Sequence, residues 1–131
     1  EGEGVVCRDV MLEFWHADEQ GCYDNGIWHR SSTNLDSGLF SIKTQMPGNT
    51  QTAEGKVLVP FISVWITARG INIGLLTRIY FPEHESAINE DPHMELVSES
   101  RRSTLMAKAV DGGYHFDIHL QGVAETVFFD V

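Results

Sequence analysis

Apolar and polar residues alternate with a period of two along most of the chain, the pattern of strands that bury one face and wet the other. In residues 9–15, Val10, Leu12 and Phe14 fall on one side and Met11, Glu13 and Trp15 on the other. Residues 39–43 predict a short strand after the turn Leu35-Asp36-Ser37-Gly38. Residues 57–68 are apolar on both faces, as a central strand of a packed sheet requires. Pro60, which has no amide proton to give a ladder, implies a bulge or an edge near the start of that run. Residues 75–81 alternate Leu75, Thr77, Ile79 and Phe81 with Leu76, Arg78 and Tyr80. The clearest strand is 114–120, where Tyr114, Phe116, Ile118 and Leu120 are separated by His115, Asp117 and His119. Residues 125–131 close the chain with Val127, Phe129 and Val131 on one face.

Between these runs, 86–97 is polar and reads as a loop with a short helix starting near Asp91-Pro92, since proline is favoured in a first helical turn. Residues 103–109 fit a strand or a helical turn equally. Six or seven strands separated by turn signals predict an all-β fold, a β-sandwich, with no repeat or low-complexity linker to divide residues 1–131 into more than one domain.

Composition narrows the partners. A chain of 131 residues, 42% of them hydrophobic, can bury a real core. The formal net charge of −10 excludes nucleic acid and anionic membranes as partners, because both need clustered Lys and Arg. No apolar run approaches the roughly 18 residues of a membrane span, and nothing reads as a signal peptide. Cys7 and Cys22 have no metal-ligand spacing and read as reduced cytosolic thiols rather than a disulfide.

Three clusters carry candidate chemistry. His115, Asp117 and His119 share one face of a strand and could converge on a cation, the basis of a self-contained metalloenzyme. Side chains at that spacing splay along the strand, so a solvated polar face is the better reading. In His16-Ala17-Asp18 a carboxylate could orient an imidazole, against the simpler reading of a turn-opening Asp. Arg69 follows an apolar strand and precedes Gly70, which permits a bend; it could fork onto a carboxylate, or it could be an ordinary surface cation. No Gly-x-Ser-x-Gly or His-Glu-x-x-His occurs.

Several long blocks resemble one family. They are 113–122, GYHFDIHLQG, continuing into 125–131, ETVFFDV; 65–73, WITARGINI, running into 76–81, LTRIYF; and 12–18, LEFWHAD, with Gly21-Cys22-Tyr23. In order and spacing these resemble the intradiol ring-cleaving dioxygenases of the protocatechuate 3,4-dioxygenase type, over almost the whole chain. By the resemblance, the N-terminal part of the family chain, with its first core strand, is missing from this sequence, and the protein is expected to be a bacterial cytoplasmic one.

Chains of this family that bind iron hold Fe(III) with two tyrosinates and two histidines, hard donors suited to a ferric ion. By the resemblance, the first tyrosine position is Tyr23; the second, after Pro47-Gly48-Asn49, is Thr50; the His-x-His pair falls on Phe61 and Ser63. Three of four ligands are absent, so the resemblance implies the α type of chain, without iron. Such a chain pairs with a homologous β subunit that carries the Fe(III), and the pair cleaves protocatechuate with O₂ in aromatic catabolism. The resemblance also implies that Arg69 reaches the partner's site near the substrate carboxylate. His115 and His119 stand where arginines are common in the family. The competing expectation is a stand-alone β-sandwich binding or scaffold module that has lost the enzyme.

Overall fold

The computed structural model describes residues 10–24, 26–33, 39–51, 55, 57–68, 74–88, 91–120 and 125–129. Its strands, in chain order, are β1 (Val10–His16), β2 (Ile27–Ser32), β3 (Thr50–Gln51), β4 (Val57–Leu58), β5 (Phe61–Ala68), β6 (Leu75–Tyr80), β7 (Lys108–Val110) and β8 (Gly113–His115). The principal sheet is antiparallel, in the order β2-β1-β5-β6, and two short hairpin ladders, β3-β4 and β7-β8, stand beside it. The architecture is the all-β sandwich that the alternation predicts.

The register explains why. Leu12 lies opposite Ile66 and Phe14 opposite Val64, so the apolar alternation of β1 meets that of β5 on one face. There Val10, Leu12, Phe14, Ile62, Val64, Ile66 and Ile79 form a core with Phe81 and Ala107. Phe40, Ile42, Phe116, Ile118, Leu120 and Phe128 pack over it as the second layer. On the other face Phe61 pairs with Tyr80 and joins a smaller core of Leu58, Val59, Ile88, Met94, Val97 and Leu105. Both faces of β5 are therefore covered at its start, as its unbroken apolar run requires.

Several expected elements differ. The strand foreseen at 57–68 is interrupted at Val59-Pro60, separating β4 from β5, as a proline without an amide donor dictates. The strand expected over 114–120 is laddered only at Gly113–His115. Its partner β7 begins at Lys108, opposite His115, and the chain before it is a 3₁₀ helix, Glu99–Leu105, with no edge to offer. Residues 116–120 keep the alternation, burying Phe116, Ile118 and Leu120 in part, but form no named strand. Residues 39–43 behave alike: Phe40 and Ile42 pack inward, and Ser31 Oγ donates to the Ser41 carbonyl at 3.3 Å. Among the described residues the closing segment forms no strand; it meets β6 at a bridge of Phe129 to Leu76 and where Thr77 Oγ1 donates to the Val127 carbonyl at 2.8 Å.

The undecided stretch 103–109 contains both structures, the end of the 3₁₀ helix and then β7. The short helix near Asp91-Pro92 forms as α2 (Pro92–Glu95), preceded by α1 (Glu85–Ile88). Asp91 Oδ1 caps α2 by accepting the His93 amide at 2.8 Å. The edge strand β2 was not foreseen. It has no fully buried residue, and its Arg30 and exposed serine are the polar dress of an edge.

This register predicts unequal costs on the two faces of β1. Phe14→Ala, at a site 1% exposed, loses about 3–5 kcal/mol in urea unfolding. Met11→Ala, at a site 41% exposed on the opposite face, loses under about 1 kcal/mol.

Candidate functional site

Of the positions to which the resemblance assigns metal ligands, Phe61 and Ser63 lie on the face of the principal sheet opposite the large core. Across the strands run Trp28 on β2, Trp15 on β1, Ser63 on β5 and Arg78 on β6, each opposite the next. Phe61 and Tyr80 form the adjoining pair at the start of β5.

Tyr23 reaches this face from the loop after β1. Asp18 Oδ1 accepts the amides of Gln20 and Cys22, both at 2.9 Å, and fixes a tight turn. Gly21 completes it with φ +82°, and a Cβ there would lie 1.8 Å from the Asn49 carbonyl oxygen. The Gly48 amide donates to the Asp18 carbonyl at 2.9 Å, so the loop leading to Thr50 is clamped against the loop leading to Tyr23. The Tyr23 ring stacks on Trp15 with centroids 6.0 Å apart. Burial pushes its phenol pKa up, and the Arg78 charge opposes that shift.

The other three positions carry no metal donor. Thr50 is buried, opposite Leu58 in the β3-β4 ladder. Phe61 is a core side chain whose ring lies 6.0 Å from that of Tyr80. Ser63 is partly exposed between Trp15 and Arg78. Two aliphatic hydroxyls, a phenyl ring and one phenol whose ionisation is disfavoured do not fit a ferric ion. Among the described residues, no group of three or more His, Cys, Asp or Glu is gathered as a metal would need.

Arg78 is the residue that sequence reasoning missed. Its guanidinium carbon lies 4.1 Å from the Phe61 ring centroid and 5.5 Å from that of Phe129. Nε and Nη1 are buried without a hydrogen-bond partner, and none of the described ion pairs involves this residue. The Tyr80 hydroxyl lies near the guanidinium without meeting it in hydrogen-bond geometry. Burial, reinforced by Asp91, pushes the Tyr80 phenol up to about 12. His93 is lowered by burial and then by the Arg78 charge. A lone cation inside the apolar run Leu75–Tyr80 was the available signal.

The remaining candidates resolve into simpler roles. His16 is fully buried; its Nδ1 lies 2.6 Å from the Ala17 carbonyl and its Nε2 lies 2.7 Å from Thr44 Oγ1. A carbonyl oxygen can only accept, so Nδ1 holds the proton and Nε2 accepts from Thr44. Asp18 serves its own turn rather than orienting this ring. His115 Nε2 meets Asp117 Oδ1 at 2.8 Å on an exposed surface, and His119 is exposed as well. These three line a shallow groove with Lys108 and Thr126, the solvated polar face that the alternation implied. Arg69 and Cys7 lie outside the described residues, and Cys22 is a free thiol.

The fold is an all-β sandwich, and three of the four positions to which the resemblance assigns iron ligands hold Thr50, Phe61 and Ser63. No protein-family model matches the sequence. Among curated proteins it is 40% identical over 143 residues to the protocatechuate 3,4-dioxygenase alpha chain of Pseudomonas putida, covering 99% of this chain and 71% of that one. It is 37% identical over 147 residues to the protein of the same name from Burkholderia cepacia, covering 100% and 73%. The chain belongs to the family of protocatechuate 3,4-dioxygenase alpha chains.

His16 gives the site's framework a pH dependence. Burial first, and then nearby His29, lower its pKa below the usual 6.5, against the raising effect of the Ala17 hydrogen bond. A base with a lowered folded pKa stabilises fully above its unfolded value, and that contribution is lost as pH falls below about 6.5. Urea unfolding between pH 7 and 5.5 should show stability falling with acid, and His16→Gln should flatten the slope.

Proposed function

We propose that this chain is the non-iron α subunit of a protocatechuate 3,4-dioxygenase, working with a homologous β subunit that holds the Fe(III). The observation that carries this is the match to two alpha chains over nearly the whole sequence, together with Thr50, Phe61 and Ser63 at the expected ligand positions. A scaffold module that has lost the enzyme would need no such extended likeness to catalytic subunits, and it is not favoured. The assembled pair inserts both atoms of O₂ into protocatechuate and breaks the ring bond between the two hydroxyl-bearing carbons, giving 3-carboxy-cis,cis-muconate.

In this reading the chain contributes one side chain to the partner's active site. Arg69 directly follows Ala68, the last residue of β5, whose backbone is paired with Val10. A guanidinium can present a planar fork to the substrate carboxylate and offset its desolvation. This confers selection for protocatechuate over catechols that lack the carboxylate. No helix among the described residues is long and apolar enough to cross a membrane.

Two results are expected. Purified without its partner, the chain carries neither iron nor dioxygenase activity, and co-expression with a β chain yields both. In the assembled enzyme, Arg69→Ala raises KM for protocatechuate by about tenfold or more, the scale of a lost charged hydrogen bond, while KM for catechol changes little. Equal effects on the two substrates would remove the role given to Arg69.

A further inference from the structure

We draw no further inference here: the strongest candidate, the exposed aromatic patch that Trp15 on β1, Trp28 on β2 and Tyr23 in the loop between them form on the outer face of the principal sheet, is an unpartnered apolar face, and nothing in the structure shows what covers it.

Discussion

The pairing of Val10–His16 with Phe61–Ala68 is the constraint on which the rest of this molecule depends. Side chains alternate across a strand, so its register decides in one step which residues enter the large core and which face the other way. With Phe14 opposite Val64, the apolar set Leu12, Phe14, Val64 and Ile66 is buried. The same register puts Trp15, Ser63 and, across the next strand, Arg78 on the opposite face. A slip of one residue would exchange the two sets. Stability and the candidate site are thus two sides of a single ladder.

That second face is framed from the loops around it. Its framework is built with care: a tight turn fixed by Asp18, a loop clamped at Gly21 and Gly48, and a stacked Tyr23. The donors that a ferric ion needs are missing from the positions where the family resemblance expects them. Phe61 has become core, Thr50 is buried in a hairpin, and Ser63 offers only a hydroxyl. A guanidinium stands beside them, and a fixed positive charge is an unfavourable neighbour for a trivalent cation. These side chains agree with the proposal that the iron chemistry belongs to a partner chain.

Much of this could be read in the sequence, and the parts that could not have definite physical reasons. The inward set of β1, the break at Pro60 and the cap at Asp91 are local: each follows from the residues at the spot. Residues 116–120 have the alternation of a strand because Phe116, Ile118 and Leu120 pack on the core, but a ladder also needs a neighbour, and alternation is silent about neighbours. The edge strand Ile27–Ser32 escaped notice for the opposite reason, since it has a ladder but little burial to mark it. The assignment of Thr50, Phe61 and Ser63 to ligand positions comes from the resemblance and not from the residues' own pattern. Arg78 was not legible in the sequence, because its meaning comes from Ser63 opposite it and from Phe61 and Phe129 around it.

The central claim is that this chain frames a metal-free site while its partner holds the iron. Tyr23 is the one phenol left at a ligand position, so the direct measurement is the tyrosinate-to-iron charge-transfer absorption and iron content of the assembled enzyme after Tyr23→Phe in this chain. The account predicts one iron per pair of chains and an absorption band unchanged in intensity and position. A bleached or shifted band, or loss of iron with this substitution, would contradict it.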